Sequence, residues 1–361
     1  PEHLLGGTPR DSLLTAPFVR EPVGNGPFRF VRWAPGERVE IAANDAFHRG
    51  RPKVDRVIFS IAGEASTLVA QFLAGETDFY ESLSPADAGK AAKQADLAIV
   101  PLGTFDYRFL RFNLYDGASD RPHPLFGERE LRRALSRAID RETMVRSVFD
   151  SAGVVALGPF VRAQWSADQT LTQLAFDRAG AARTLDSLGW RTGADGVRAR
   201  GGRTLAFTIL VPSSSKPRNQ FALLLQDQLG RVGVKGTVEP MDPNALGDRE
   251  RSRRFDAIVD GLTASPSPKG IRESWMRGGA SGFNYGRYES AAFDIALDSA
   301  VADSDSRAAR AHFRSAYQTI IDDAPIQQSQ QGGKTYITVR SPINTSEAIE
   351  KQIIQAMPGA G

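Results

Sequence analysis

The sequence contains no cysteine. This absence excludes disulfide bonds, thiolate zinc sites, iron–sulfur clusters and cysteine nucleophiles. It is compatible with an exported protein, for which a free thiol is a liability, although many cytosolic proteins also lack cysteine. The sequence also lacks any apolar run near the ~18 residues that a transmembrane helix requires, so no membrane span is predicted.

Histidine is scarce, and no two of the four histidines lie at a spacing typical of metal ligands. They are His3, His48, His123 and His312. None of them belongs to a recognisable catalytic motif, so the sequence predicts neither a metal site nor the nucleophile–His–acid set of a hydrolase.

Common cofactor and nucleophile motifs are also missing. Lys334 and Thr335 follow two glycines like the end of a phosphate-binding loop, but Gln328 stands where that loop requires glycine. Gly24 and Gly26 begin a G-x-G pattern, but Arg29 replaces its last glycine, which excludes a dinucleotide-binding turn. No G-x-S-x-G elbow is present. We therefore expect no cofactor, no catalytic residues and no enzymatic activity.

An excess of charge of one sign is absent too. Lys and Arg number 45 against 42 Asp and Glu, a net charge of +3, and only eight of the basic residues are Lys. The isoelectric point near 9.2 therefore rests on a small excess spread over 39.2 kDa. Such a thin excess does not by itself predict a surface that binds nucleic acid.

What is present is the composition of a globular protein. The 361 residues are 41% hydrophobic and 24% charged, which excludes a disordered, collagenous or purely coiled-coil chain. At about 150 residues per domain, this length predicts two or three domains.

Strand and helix patterns alternate along the chain, which predicts an α/β fold. Strands are expected at residues 28–33 and 38–43, on either side of an Ala-Pro-Gly-Glu turn. The strongest helical pattern covers residues 128–149 and is divided at Asp140, which is expected to cap a second helix. Residues 263–286, rich in Gly, Ser and Pro, are predicted to form a long loop.

Two pairs of carboxylates are candidate acid/base groups. Asp256 and Asp260 lie four residues apart on a predicted strand at residues 254–262, which places them on one face. Asp322 and Asp323 are adjacent in the chain. Strand ends and solvated faces explain both pairs equally well.

Several aromatic residues fall in predicted loops rather than at core positions. They are Trp165, Trp275, Tyr285 and Tyr288. A loop aromatic beside Gly, Asn and Ser is typical of an adaptable ligand cleft. The alternative is that each ring packs its loop onto the core.

A series of short motifs indicates a family. Residues 22–79 contain the segments PVGNGPFRF, WAPGE, NDAFHRGRPKVDRVIFSI and LAGETDF. Later motifs are FNL at residues 112–114, RRALSRAIDRETMV at residues 132–145, FD at residues 255–256 and DAP at residues 323–325. In this order they resemble the bacterial extracellular solute-binding proteins of family 5, the oligopeptide, dipeptide and nickel receptors of ABC importers.

The resemblance implies an α/β, two-lobe, periplasmic-binding-protein-like fold of type II. Lobe one is expected to be incomplete, comprising residues 1–112 and 329–361, because family chains are longer at the amino terminus. Lobe two is expected to comprise residues 113–328. Two crossings, near residues 112–113 and 327–331, are expected to form a hinge that permits bending. The chain begins at Pro1 without a visible signal peptide, so we expect a fragment or a shortened paralogue.

The resemblance also implies a function. The protein is expected to capture a peptide-like or other small solute between its lobes and to present it to an ABC permease in the membrane. It is expected to be a periplasmic monomer or a lipoprotein at the outer face of the cell membrane, without nucleic acid. The solute class stays open among peptides, modified peptides, opines, oligosaccharides and metal chelates.

Seven residues are the candidate ligand contacts of the cleft. Asn113 lies at a predicted crossing, and most of the others belong to the predicted loop 263–286, which faces the cleft in the family. Arg272 is the candidate partner of a ligand carboxylate, and Trp275 is the candidate stacking anchor. The seven are Tyr107, Asn113, Ser265, Arg272, Trp275, Asn284 and Tyr285.

One departure from the family pattern concerns the ligand. Peptide receptors of the family carry a W-x-x-D-x-x-D-P-like segment after the FD motif, and the resemblance implies that its first Asp pairs with a peptide α-amino group. Here Leu262 and Ser265 stand at the Trp and Asp positions. A hydroxyl does not balance a buried ammonium, so a peptide with a free amino terminus is disfavoured.

Three alternative functions stay open at this point. The chain is a ligand-sensing domain of a cytosolic transcriptional regulator if a DNA-binding module precedes it. It is an α/β hydrolase if its nucleophile–His–acid set lies outside any recognisable motif. It is a truncated, non-binding paralogue if the segment missing from lobe one leaves half the cleft unbuilt.

Overall fold

The computed structural model describes residues 2–149, 153–265, 267–277, 283–331 and 334–340. The part of predicted lobe one at residues 341–361 lies outside them. The chain divides into two compact units, Pro1–Asp78 and Phe79–Gly361.

The first unit is built on a three-stranded antiparallel sheet in the order β1-β2-β3. Its elements are α1 (Glu2–Leu5), β1 (Phe28–Ala34), β2 (Arg38–Ala43), β3 (Arg56–Ser60) and α2 (Ala65–Ala74). The turn between β1 and β2 places Gly36 at φ 78°, and Gly75 ends α2 at φ 87°, conformations that favour glycine. Strands β1 and β2 confirm the sequence prediction.

The second unit contains the remaining elements. Its strands are β4 (Phe79–Leu83), β5 (Leu97–Gly103), β6 (Asp106–Phe112), β7 (Arg191–Thr192), β8 (Arg198–Arg200), β9 (Arg203–Thr204), β10 (Ala206–Pro212), β11 (Lys235–Met241), β12 (Ala257–Thr263), β13 (Ile326–Gln331) and β14 (Lys334–Arg340). Its helices are α3 (Pro85–Ala91), α4 (Arg129–Arg137), α5 (Arg141–Phe149), α6 (Arg178–Ser187), α7 (Lys216–Gly230), α8 (Pro243–Arg251), α9 (Ile271–Trp275), α10 (Ala291–Ala302) and α11 (Ser306–Asp323).

The central sheet of the second unit has the strand order β11-β10-β12-β6-β13. Strand β10 runs parallel to both of its neighbours, whereas β6 is antiparallel to β12 and to β13. The chain passes from β10 to β11 on one side, and then returns through α8 to β12 on the other side of β10. The carboxyl ends of β10 and β12 therefore flank a topological switch point, where open α/β sheets bind their ligands.

A second sheet in this unit has the order β4-β14-β5, all antiparallel. Two connections join it to the central sheet. Strand β5 ends at Gly103 and β6 begins at Asp106; β13 ends at Gln331 and β14 begins at Lys334. Because β6 pairs with β13, the two connections leave the central sheet side by side.

Alternating side chains of β6 enter two different cores. Leu110 and Phe112 pack in an apolar cluster with residues of α4, α6 and α7. Tyr107 and Phe109 pack on the opposite face with residues of α10 and α11. The period of two thus explains why β6 is buried on both faces.

The structure corrects three expectations about elements. The predicted loop at residues 263–286 contains α9 and a 3₁₀ turn at Pro268–Gly270, because apolar Ile271 and Trp275 pack a helical turn against the core. Strand β12 begins at Ala257, after Asp256, so Asp256 lies outside the strand on which it was expected. Residues 327–331, expected only as a crossing, belong to the edge strand β13 (Ile326–Gln331).

Candidate functional site

A cavity of about 220 Å³ opens at the carboxyl end of β12. Its floor comes from β6 and β12, and its walls come from the segment after β12, from the segment near Gln164 and from α11. The lining residues are Tyr107, Pro159, Gln164, Leu262, Thr263, Ala264, Ser265, Ser267, Pro268, Gly270, Ile271, Glu273, Ser274, Phe283 and Tyr317.

The floor is set by strand register. Tyr107 of β6 lies opposite Leu262 of β12, so both side chains reach the same face. Tyr107 is only 4% exposed, and burial raises the pKa of its phenol to about 12. The ring therefore presents a neutral hydroxyl over the whole physiological pH range.

Two side chains hold the far wall in place. Gln164 accepts a hydrogen bond from the Val161 N–H at 3.0 Å and donates one to the Ser265 carbonyl at 2.7 Å. The hydroxyl of Tyr317 lies 2.9 Å from the hydroxyl of Ser166, and burial raises the pKa of Tyr317. These bonds attach the segment after β12 to a second loop and to α11.

Of the seven predicted contacts, Tyr107 and Ser265 line the cavity. Trp275 lies on α9 with its ring 2% exposed, edge-on to Phe109 at 5.7 Å between ring centroids. Its indole therefore packs behind the segment that forms the wall.

The other four predicted residues have partners elsewhere. Asn113 is buried, and its amide donates to the carbonyls of Arg253 and Phe255. Arg272 pairs with Asp298 of α10 at 2.9 Å. The structure does not bring either of them to the cavity.

Asn284 and Tyr285 flank the cavity-lining Phe283. The side chain of Asn284 accepts from the Tyr288 N–H at 2.9 Å and donates to the Tyr288 carbonyl at 2.8 Å, which fixes a turn. The ring of Tyr285 contacts the Phe283 ring edge-on and lies 5.3 Å from the Arg111 guanidinium. Both residues support the cavity wall from outside.

The segment carrying Phe283 is anchored by Arg111. This side chain is 2% exposed; it donates to the Phe283 carbonyl at 2.8 Å and to Asp260 Oδ2 at 2.6 Å. Its guanidinium also lies 5.8 Å from the Trp275 ring. One buried cation thus joins β6, β12, α9 and the wall.

The two carboxylates proposed as an acid/base pair have separate structural partners. Asp260 pairs with Arg111, as above. Asp256 accepts from the Thr208 N–H at 3.0 Å and contacts His123 Nε2 at 3.3 Å. Burial by itself would raise the pKa of the Asp256 carboxyl, but the contacts with His123 and Thr208 hold this pKa below its usual value. Within the described ranges, no three His, Asp or Glu side chains form a group that could hold a metal ion.

Most of the lining residues were not among the predicted contacts; they include Gln164, Glu273, Phe283 and Tyr317. Glu273 and Phe283 belong to the segment expected to face the cleft, but nothing in their spacing singled them out. Gln164 and Tyr317 come from distant segments, so only the tertiary structure brings them to this site.

The model of the bacterial extracellular solute-binding proteins, family 5 (middle), matches residues 9–283. The chain belongs to this family. Its curated relatives include the oligopeptide-binding protein AppA of Bacillus subtilis, 29% identical over 331 residues that cover 90% of this chain and 60% of AppA. Protein XP55 of Streptomyces lividans is 27% identical over 90% of this chain and 57% of its own length.

Solved structures of this family share the fold. AppA from Bacillus subtilis, solved with a nonapeptide, matches with a TM-score of 0.82 and 27% identity over 94% of this chain and 67% of AppA. NikZ from Campylobacter jejuni, solved with Ni(L-His), matches with a TM-score of 0.84 and 23% identity over 94% of this chain and 66% of NikZ. These matches confirm the expected α/β, two-lobe solute-binding fold. The chain spans about 60% of the length of the curated relatives it matches.

No helix in the described part of this family 5 chain is long and apolar enough to cross a membrane.

Proposed function

We propose that this protein is the solute-binding receptor of an ABC importer. It captures a small solute in the cavity beside Tyr107 and Ser265 and presents it to a membrane permease, without making or breaking a covalent bond. The observation that carries the proposal is the position of the cavity. It lies at the carboxyl end of β12, beside the switch point of a sheet whose fold is that of the family's receptors.

The proposal includes a bending motion. Two side-by-side connections, β5 to β6 and β13 to β14, join the two sheets of the second unit. Paired connections restrict the motion to a hinge, because sliding would strain both at once. The lobe boundary predicted from sequence, at residues 112/113 and 328/329, stays a prediction; its first point lies at the opposite end of β6 and its second lies within β13. A solute that makes more contacts in the closed form shifts the population towards it.

The proposed setting is the periplasm or the outer face of the cell membrane, with a lipid anchor as one form of attachment and a monomer as the receptor. The absence of cysteine and the family's extracellular description support an exported protein. The naming of curated relatives as binding proteins favours this function over a domain of a transcriptional regulator.

Native mass spectrometry of the protein isolated from its own source tests the proposal. We expect a bound species of defined mass that is released on denaturation. The matched variant is Ser265→Tyr, which fills the cavity and should abolish the bound species. Ser306→Tyr, at an exposed position of α11, is the control and should retain it. A protein that carries no solute and binds none from a peptide and metal-chelate panel would overturn the proposal and favour a non-binding paralogue.

A further inference from the structure

The sheet of the first unit has two chemically different faces. Residues that lie opposite each other on neighbouring strands share a face, and successive residues of one strand alternate between faces. The pairing of β1, β2 and β3 therefore assigns each paired residue to one side. One side carries apolar side chains only, among them Phe30, Trp33, Ile41 and Phe59. The charged side chains of the three strands are confined to the other side.

Four arginines occupy this other side, which we call the arginine face. Arg29 of β1 and Arg56 of β3 lie opposite the same residue of β2. Arg32 lies opposite Glu40, and Arg38 is two positions before Glu40 in β2. Glu40 is the only acidic residue that the pairing places on the arginine face, which therefore has a formal net charge of +3.

A bulge in β1 brings two of these arginines to the same side. Arg29 and Arg32 are three positions apart, and in a regular strand this odd spacing would place them on opposite faces. The register of β1 shifts between Phe30 and Arg32, so Val31 is one extra residue. This extra residue returns Arg32 to the face of Arg29, and the backbone thus concentrates positive charge on one side of the sheet.

One carboxylate is shared among three of the arginines. Arg32 Nε donates to Glu40 Oε1 at 2.8 Å, and Arg38 Nε lies 2.9 Å from the same oxygen. Arg56 Nη1 lies 3.7 Å from Oε2. The Glu40 side chain is 4% exposed, whereas the three arginine side chains are 44–59% exposed. Arg29 is exposed and has no ion pair within the described ranges, so Glu40 gathers the guanidinium groups without neutralising them.

The positive charge is local to this face. Residues 1–78 contain nine Lys and Arg against ten Asp and Glu, so the unit as a whole is not basic. Ile58 lies opposite Glu40 on the arginine face and is 47% exposed. An open basic surface with an apolar side chain at its centre suits an extended anionic layer better than an enclosed ion. Lipid headgroups form such a layer, because their phosphates accept from guanidinium and apolar side chains enter beneath them.

We propose that the arginine face docks on a membrane surface that carries anionic phospholipids. Guanidinium binds phosphate bidentately, and anionic headgroups attract basic groups that lie within a Debye length of them. This docking goes beyond the proposed function, since it does not depend on the capture of a solute. It holds the receptor at the membrane in which its permease lies.

Co-sedimentation of the purified chain with lipid vesicles tests this inference. The vesicles are pure phosphatidylcholine and an equal mixture of phosphatidylcholine and phosphatidylglycerol. We expect binding to the mixed vesicles alone, declining as salt is added. Arg29→Gln/Arg56→Gln should bind the mixed vesicles about 10- to 30-fold more weakly, since each arginine near an anionic surface contributes about fivefold. Arg29→Lys/Arg56→Lys keeps both charges and should retain most of the binding.

The matched control is Arg307→Gln/Arg310→Gln, which removes the same charge from exposed positions of α11 in the second unit. It should bind the mixed vesicles as the unmodified chain does. An equal loss of binding in both glutamine double variants would show that net charge alone is responsible, and would overturn the inference. Displacement by inorganic phosphate, but not by chloride at the same ionic strength, would indicate a site for a small ion and would also overturn it.

Two further readouts keep this inference separate from the proposed function. Urea unfolding shows whether each variant is folded, and native mass spectrometry shows whether it still carries its solute. A folded, solute-loaded chain that binds neither kind of vesicle would overturn membrane docking while leaving the receptor function intact. Binding of hexaglutamate by such a chain would assign the arginine face to an acidic protein partner instead.

Discussion

The Arg111 guanidinium lies 2.6 Å from the Asp260 carboxylate, with side chains only 2% and 16% exposed. Their strands, β6 and β12, are neighbours in the central sheet, and Arg111 also donates to the Phe283 carbonyl in the cavity wall. A buried ion pair costs much desolvation free energy, so its main role here is to fix the wall relative to the sheet.

Removing one partner of this pair should be costly. Arg111→Met is expected to lower the free energy of unfolding by about 3–5 kcal/mol, because Asp260 is left buried without its cation. The double variant Arg111→Met/Asp260→Leu should recover most of this loss. Urea unfolding of both variants and of the unmodified chain measures the difference. A double variant as unstable as the single one would show that packing, rather than the uncompensated charge, accounts for the loss.

Glu250 should make stability depend on pH. Its side chain is half-buried, and its solvent-shielded Oε1 accepts no hydrogen bond from the described residues. Burial, followed by the Asp260 carboxylate, raises the pKa of Glu250 to about 7, against the opposing effect of three arginines. The three are Arg111, Arg218 and Arg251.

The sign follows from proton binding. Between about pH 4.5 and 7 the unfolded chain has released this proton while the folded chain retains it, so this group makes stability fall as pH rises. The free energy of unfolding of Glu250→Gln, relative to that of the unmodified chain, should therefore rise by about 2–3 kcal/mol as the pH increases from 5 to 8. Urea unfolding across that range measures it, with exposed Glu239→Gln as control. A pH-independent difference between Glu250→Gln and the unmodified chain would contradict the prediction.

The fold was predictable where local pattern and tertiary structure agree. The α4–α5 pair was predicted from its apolar stripe, and Asp140 does cap α5 by accepting from the Thr143 N–H. Strand β13 was missed because the sequence Ile-Gln-Gln-Ser-Gln-Gln has no apolar alternation. This segment forms a strand because its backbone pairs with β6. Helix α8 was missed because Leu246 is its single buried residue among the described positions.

The site was predictable only in its location. The motifs after β12 pointed to a segment that forms one wall of the cavity, and Tyr107 and Ser265 line it; their role as ligand contacts stays a prediction. Arg272 was chosen because guanidinium binds carboxylate, but the sequence could not show that Asp298 occupies it. Glu273 and Phe283 were not singled out because neither has a spacing signal, and only the tertiary structure shows that they line the cavity.

Asp256 is expected to contribute to the stability of the fold and not to solute binding. It lies at the amino end of β12, whereas the cavity lies at the carboxyl end. Asp256→Ala removes the acceptor of the Thr208 N–H and is expected to cost about 1–2 kcal/mol of unfolding free energy. The figure is modest because the carboxylate is 40% exposed. Solute affinity should stay unchanged.

The control for this prediction is Asp227→Ala, which breaks an exposed pair with Arg231 and should cost less than about 0.5 kcal/mol. Urea unfolding gives the stabilities, and titration with the co-purified solute gives the affinities. Weaker solute binding by Asp256→Ala at unchanged stability would reinstate a functional role for this carboxylate.

Variants of Trp275 distinguish two roles that the sequence left open, stacking on the solute and packing in the core. A stacking anchor would contact the solute directly, whereas the structure places the ring behind α9, against Phe109. Trp275→Ala should therefore lower the free energy of unfolding by about 3–5 kcal/mol, as expected for a large buried ring. It should also weaken solute binding indirectly, because α9 forms part of the cavity wall. Trp165→Ala, at a ring that is 42% exposed, should cost far less stability.

The decisive variant is Trp275→Phe, because it keeps a ring in the core and α9 in place. If the indole only supports α9, this variant should retain both most of the stability and the solute affinity, measured by urea unfolding and by titration. If the indole stacks on the solute, affinity should fall about tenfold or more while stability is largely kept. The second outcome would require α9 to turn its tryptophan into the cavity on binding, which would break the 5.7 Å contact with Phe109.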